Sequence, residues 1–143
     1  MSKRIPTAYS GVRTRQYTVD SSATFKSGAF VLLASDEEIE ACGADPTAVL
    51  GIACSDAQAD PVTGKVLVML AEEHALFHIE GDNNPVAGDQ NQDYGVAVDS
   101  DGIWYIDGAE TSADVLHVVD VDLTRNLYTV RFVADVRQST PAA

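Results

Sequence analysis

The amino-acid sequence predicts an all-β fold, a small β-barrel or β-sandwich with an extended N-terminal arm. From residue 15 onward, short apolar runs recur about every ten to fifteen residues and are separated by Gly, Asp, Asn and Pro, a spacing typical of sandwiches and barrels. The 143 residues, 45% of them apolar, suffice for one domain with its own core. We assign residues 1–16 to the arm, 17–137 to the β-domain and 138–143 to a flexible C-terminal tail.

Nine segments have the length and composition of β-strands. Along the last of them, Tyr128, Val130 and Phe132 alternate with other side chains at period 2, which predicts one face on a core and the other toward solvent. Residues 66–70 are continuously apolar, which predicts a central strand covered on both faces. The nine segments are residues 16–19, 29–33, 49–53, 65–71, 75–79, 94–98, 103–106, 115–121 and 127–136.

Two connecting segments are predicted from their local chemistry. Residues 99–102 read Asp-Ser-Asp-Gly, which predicts a tight hairpin turn in which Gly102 takes a positive φ. The composition of residues 36–42 favours a short helix of one or two turns at most.

Positive and negative charge are separated along the chain. Lys3, Arg4, Arg13 and Arg15 precede the first acidic residue, Asp20, so residues 1–19 carry a net charge of about +4. The other 5 of the 9 basic residues and all 22 acidic residues give the remainder about −17, for the total of −13. We therefore expect neither nucleic acid nor an anionic membrane as partner, because both require clustered Lys and Arg.

A long acidic stretch lies between Lys65 and Arg125, with 13 acidic residues and no Lys or Arg. One interpretation is a solvated face that keeps the protein soluble and discourages strands of different molecules from pairing. The other is a surface for a cation or a basic partner. The sequence leaves both open.

The arm carries the residues that we expect to bind a partner. Its basic residues have no acidic neighbours and alternate with tyrosines. Such a segment can bind a partner through charge and through aromatic side chains that anchor it. The alternative is a disordered N-terminus without a role. On the docking interpretation, removal of residues 1–15 should leave the β-domain folded and weaken binding. The candidate residues are Lys3, Arg4, Tyr9, Arg13, Arg15 and Tyr17.

The sequence contains neither a nucleophile elbow nor a glycine-rich phosphate loop. The polar loop 89–95 lacks the Gly and Glu positions of an EF-hand, which leaves only weak calcium binding by some acidic loop open. His74 and His78 are four residues apart but have no third ligand nearby, so we expect two surface or half-buried histidines. Cys42 and Cys54 are expected to be reduced, partly buried thiols. We predict no enzymatic activity, no cofactor and no metal.

Four segments share a pattern of glycine-containing turns that lead into short strands, one of them through an Asp-Pro turn and one through a hairpin with a central Trp-Tyr, and a fifth segment would close the barrel. They are residues 25–33, 43–53, 64–70, 94–107 and 130–136. In these segments the chain resembles the small decoration, or cement, proteins of tailed-phage capsids, over roughly residues 17–137. The resemblance implies a homo-oligomer, a dimer or trimer, on the outside of an icosahedral shell.

The resemblance also implies a partner and a location: the major capsid protein, on the exterior of a virion assembled in the host cytoplasm. The arm would then be a capsid-binding arm that crosses adjacent shell subunits. Trp104 and Tyr105, in the central hairpin, either pack in the core or form an oligomer contact. The function expected is stabilisation of the capsid. The alternative is a standalone β-domain that binds a small ligand or carbohydrate, or another virion component such as a fibre or tail protein.

Overall fold

A computed structural model describes residues 3–43, 45–110 and 112–138. Within them the predicted all-β class is confirmed: eleven strands are joined by turns and one short 3-10 helix, Ala87–Asp89. No helix of the described residues is long and apolar enough to cross a membrane. The strands are β1 Thr7–Ser10, β2 Thr14–Thr18, β3 Phe30–Leu33, β4 Ile39–Ala41, β5 Gly51–Ala53, β6 Lys65–Leu70, β7 Leu76–Ile79, β8 Asp93–Val98, β9 Trp104–Asp107, β10 Leu116–Asp122 and β11 Leu127–Phe132.

The strands form two antiparallel sheets. Sheet I has the order β1-β7-β11-β10-β8-β9, and sheet II has the order β2-β6-β5-β3-β4. Because the sheets do not close into a barrel, the fold is sandwich-like, which decides between the two predicted architectures. β1 and β2 are consecutive in sequence but lie in different sheets, so the N-terminal segment passes from one sheet to the other.

An aromatic cluster joins the two sheets at the centre of the core. Phe30 of sheet II stacks on Trp104 of sheet I at 4.7 Å between ring centroids, and it meets the edge of Phe132 at 5.0 Å. Phe77 contacts Phe132 at 5.6 Å. All four are at most 3% exposed, and burial of such a side chain contributes about 2–3 kcal/mol.

Strand β6 is central in sheet II, but it has only one buried face. Val66 and Val68 are buried, whereas Leu67 is 43% exposed. The prediction of cover on both faces is wrong here because the core lies on one side of sheet II and no second layer packs on the other within the described residues.

Residues 36–42 contain a hairpin turn and β4, so the helical prediction is wrong. Ala34 and Glu38 close the turn with a backbone hydrogen bond of 3.0 Å, and Glu37 takes a φ of 66°. Leu33 then pairs with Ile39 in the antiparallel register of β3 and β4. Acidic residues that read as helical in the sequence instead form a tight turn, because the neighbouring strand supplies the hydrogen bonds.

The turn predicted at residues 99–102 is confirmed between β8 and β9. Gly102 has a φ of 79°. The Asp99 carboxylate accepts the backbone N–H groups of Asp101 at 2.8 Å and Ile103 at 3.0 Å. The bond from Ile103 is the largest cause that lowers the pKa of Asp99, which favours the charged form that holds the turn.

Residues 7–10 and 14–18, most of which the sequence assigns to an arm, form β1 and β2. β1 pairs with β7, and β2 pairs with β6 along its length. Both are edge strands whose residues are exposed, apart from the half-buried Tyr17. The strand predicted at residues 16–19 overlaps only the end of β2, and no apolar alternation marks β1 or the start of β2 in the sequence. Backbone hydrogen bonds hold both strands in the sheets.

The described part of the C-terminus is attached to sheet II. The Gln138 side chain donates to the Leu33 carbonyl at 2.5 Å and accepts from the Leu33 N–H at 2.8 Å. The Gln138 N–H donates to the Val49 carbonyl at 3.0 Å. The remainder of the predicted flexible tail, residues 139–143, lies outside the described residues.

Candidate functional site: a basic cleft at the edge of sheet II

A cleft of about 810 Å³ lies beside β2, at the edge of sheet II. Leu33, Leu50 and Leu70 supply apolar lining, and most of the other lining residues are polar or charged. The basic residues among them are Arg13, Arg15, Lys65 and Arg137.

The pairing of strands brings these cations together from three distant parts of the sequence. β2 runs antiparallel to β6, so that Thr18 lies opposite Lys65 and Arg15 lies opposite Val68. Arg137 arrives from the end of the domain through a parallel bridge to Val49. Tertiary structure therefore brings these residues to one cleft, since Arg13 and Arg15, Lys65 and Arg137 lie far apart in the sequence.

Among the basic residues of the cleft, Arg13 has its charge neutralised by an ion pair with Glu72. Its Nε donates to Glu72 Oε1 at 2.8 Å, and its Nη2 bonds the second carboxylate oxygen. The hydrogen bond from Arg13 is the main cause that lowers the pKa of Glu72. Within the described ranges, Arg15, Lys65 and Arg137 have no ion pair, so their charge is available to a ligand.

Arg15 also has an aromatic neighbour. Its guanidinium carbon lies 5.7 Å from the ring centroid of Tyr17, two residues along on the same face of β2. Tyr17 packs partly against the core, which fixes the ring over which the cation lies.

A second, smaller cleft of about 230 Å³ shares Glu73 and Arg137 with the first. There His117 Nδ1 lies 2.6 Å from Asp93 Oδ1. With Arg131, five of the nine basic residues of the chain line the two clefts. They face only four acidic residues, in a chain that has 22 acidic residues against 9 basic. The four are Glu37, Glu72, Glu73 and Asp93.

The first part of the predicted arm lies against sheet I instead. The Lys3 N–H donates to Asp99 Oδ2 at 3.4 Å, and its Nζ lies 5.2 Å from the ring centroid of Tyr105. Arg4 pairs with Glu80 at 3.4 Å. These cations are engaged within the molecule.

Tyr9 is similarly engaged, because its ring stacks on His78 at 4.3 Å between centroids. Burial, followed by the nearby charge of Arg125, lowers the pKa of His78, which favours the neutral ring. The six predicted arm residues thus fall into two groups. Arg13, Arg15 and Tyr17 line the cleft, whereas Lys3, Arg4 and Tyr9 contact sheet I.

Trp104 and Tyr105, adjacent in β9, point to opposite faces of sheet I. Trp104 is 3% exposed and stacks on Phe30, so it is a core residue. Tyr105 is half-buried beneath Lys3 on the outer face.

In the loop 89–95, hydrogen-bond donors of the protein itself surround the first carboxylate, that of Asp89. Asp89 accepts hydrogen bonds from the Tyr94 hydroxyl at 2.9 Å, the Tyr128 hydroxyl at 3.1 Å and the Val86 N–H at 2.9 Å. Burial and the bond to Asp89 raise the pKa of Tyr94 to about 12, so it remains a donor at neutral pH.

An acidic trio on the other sheet brings carboxylate oxygens within 4.8 Å of one another: Asp20, Asp36 and Glu38. Burial and the two neighbouring carboxylates raise the pKa of Glu38. Each partner also has a local role, since Asp20 accepts from Ser22 and Asp36 accepts from the Glu38 N–H. Surface acidic groups of this kind are common, and this trio is largely accounted for by its own turns.

Both cysteines are free thiols, Cys42 buried and Cys54 exposed. Burial raises the pKa of Cys42 to about 12 and also raises that of Cys54. Neither is therefore poised as a thiolate.

Together, the fold and the cleft define a two-sheet β-protein with a basic cleft along an edge strand. No known protein family and no curated protein matches the chain. The sequence anticipated Arg13, Arg15 and Tyr17 but missed Lys65, Arg131 and Arg137. No local motif marks these three residues, because strand pairing brings them to the clefts.

Proposed function

We propose that this chain is a non-enzymatic structural protein that binds the outer surface of an icosahedral phage head and stabilises the capsid as a decoration protein. Its partner is the major capsid protein, and it acts as a dimer or trimer on the exterior of a virion assembled in the host cytoplasm. The segments that resemble tailed-phage cement proteins supply this class of partner.

The observation that carries the proposal is the concentration of basic side chains along one edge of an acidic molecule. Arg15, Lys65 and Arg137 line one cleft in a chain of net charge −13. An acidic region of a shell subunit is attracted to this edge, while the rest of the surface repels it, so the charges orient the molecule on approach. Many copies on one particle make modest individual contacts sufficient.

Co-sedimentation tests the proposal. The purified protein is mixed with mature, DNA-filled heads that lack it and, in parallel, with unexpanded precursor shells. We expect saturable, stoichiometric pelleting with mature heads alone, which also gives the copy number. Sedimentation equilibrium of the free protein measures its oligomeric state.

Absence of pelleting with either particle would reject the decoration function. A saturable rise in melting temperature with a saccharide or another small molecule would then favour a ligand-binding β-domain.

A further inference from the structure

We propose that the outer edge of β2 receives an extended acidic segment of the shell subunit as an added β-strand. This inference rests on the proposed function and specifies how the partner is held. Addition of a strand to an open sheet edge supplies affinity through main-chain hydrogen bonds and specificity through the side chains around it.

The hydrogen-bond register identifies the free backbone groups of β2. The Arg13 carbonyl accepts from Leu70 at 2.9 Å, and the Val19 N–H donates to Gly64 at 2.8 Å. Bonding residues alternate in an antiparallel pair, so the odd-numbered residues of β2 bond to β6. Thr14 and Gln16 therefore direct their N–H and C=O groups away from β6, where no strand of the described residues pairs with them.

The cleft lies along this open edge because the two edges of sheet II meet at one end. Val19 forms a parallel bridge to Ile39, and the Asp20 N–H donates to the Ile39 carbonyl at 3.0 Å. Before this bridge, no described residue pairs with β2 on that side. The cleft there is lined by β2 together with Leu33 and Glu37 of the β3–β4 hairpin. The space is thus open where a further strand would lie.

The charge of the cleft selects an acidic segment. Arg15, Lys65 and Arg137 have no ion pair among the described residues, while Arg13 is already paired with Glu72. Arg15 lies on the Val68 face of sheet II and Lys65 lies on the other face, because Lys65 and Val68 are three residues apart in β6. Carboxylates at alternate positions of an added strand can therefore meet Arg15 on one face, and those at the intervening positions can meet Lys65 on the other. A second copy that pairs through its own β2 is a poorer occupant of this edge, because it would bring the same cations to the cleft and like charges repel.

The competing explanation is that Arg15 protects the edge, since a charged residue on an edge strand blocks aggregation. Arg15→Glu separates the two explanations. The edge remains charged and protected, but its attraction for an acidic segment becomes repulsion. Lys26→Glu is the matched control, because it makes the same change of charge at an exposed residue that does not line the cleft.

Gln16→Pro tests the backbone contribution. The Gln16 N–H points away from β6, so its removal spares the β2–β6 ladder, and proline is tolerated on an edge strand in that orientation. Circular dichroism and the melting temperature establish that each variant is folded. If Gln16→Pro fails to fold, the comparison of Arg15→Glu with Lys26→Glu remains as the test of the inference.

The readout is the affinity of each folded variant for mature heads. We expect Arg15→Glu and Gln16→Pro to weaken binding by on the order of tenfold or more, with Lys26→Glu close to the unaltered protein. Equal pelleting of Arg15→Glu and Lys26→Glu would overturn the inference while the decoration function stands. Concentration-dependent self-association lost in Arg15→Glu would identify a second copy as the occupant and also overturn it.

A peptide assay decides the inference if the unaltered protein does not pellet at all. The probe is an acetylated eight-residue peptide of alternating Glu and Thr, titrated while the backbone amide signals of the protein are followed by NMR. We expect saturable shifts at Thr14 and Gln16. A Gln–Thr peptide keeps the backbone donors but has no negative side chains, so it should bind more weakly. A Glu–Pro peptide keeps the charge but lacks half of the backbone N–H groups, so it should not pair with β2 as a strand. The absence of shifts with the Glu–Thr peptide at millimolar concentration would count against the site.

Discussion

Two adjacent residues of β9 show how strand geometry divides structural from surface roles. Trp104 stacks on Phe30 in the core, whereas Tyr105 lies on the outer face under Lys3. Period-2 alternation makes this division necessary once one face of the strand is buried. Two neighbouring aromatic residues therefore contribute very differently to stability.

We predict that Trp104→Ala lowers the free energy of unfolding by about 3–5 kcal/mol, because it leaves a cavity between the sheets. Urea unfolding followed by circular dichroism measures the change, since Trp104 is the only tryptophan and its fluorescence is lost in the variant. Tyr105→Ala is the control and should cost about 1 kcal/mol. Equal losses for the two variants would show that the Trp104 ring does not hold the sheets together.

At the scale of elements, the N-terminal segment is the part of the chain whose role changes most between sequence and structure. β1 covers the edge of β7, and β2 covers the edge of β6. Deletion of residues 1–15 would remove β1 and the start of β2, so we no longer expect the shortened chain to keep its stability. Point substitutions are the cleaner test of binding.

We predict that Gly11→Ala destabilises the protein by about 1–3 kcal/mol. Gly11 joins β1 to β2 with a φ of 67°, and an added Cβ would lie 2.4 Å from the His74 carbonyl oxygen. Thermal and urea unfolding report the change. Gly88→Ala, where no atom lies within 4 Å of an added Cβ, should stay within about 0.5 kcal/mol. If both substitutions are neutral, the turn at Gly11 does not hold the N-terminal segment in the fold, and the assignment of residues 1–16 to an extended arm is favoured.

At the scale of the whole molecule, charge opposes compactness. A net charge of −13 on 143 residues produces self-repulsion that the exposed ion pairs offset only slightly. The pair of Arg13 and Glu72 is an example, with the Arg13 side chain 75% exposed. Screening by salt should consequently stabilise this protein.

We predict that the melting temperature rises by a few degrees as NaCl increases from about 10 mM to about 200 mM, where the screening length falls below about 10 Å. Differential scanning calorimetry provides the measurement. The double variant Asp114→Asn/Asp135→Asn, at two exposed positions, should show a smaller response because it removes two negative charges. A melting temperature that falls with added salt would mean that local ion pairs outweigh the global repulsion.

Features that depend on neighbours in sequence could be predicted without a structure. The spacing of apolar runs gave the all-β class, and the hairpin turn ending in Gly102 was placed correctly, because turn chemistry acts over four residues. The helical prediction for residues 36–42 failed at the same scale. There a hydrogen-bonding partner in β3 outweighed a weak local preference.

The sequence by itself determined the fold class, the acidic body and the cation-rich N-terminus. Tertiary structure alone decided that Arg15 shares a cleft with Lys65 and Arg137, and that β1 and β2 complete two different sheets. The physical reason is the same in both cases. Edge strands are held by backbone hydrogen bonds that any side chain permits, so neither their pairing nor the charges that it brings together leaves a periodic signal in the sequence.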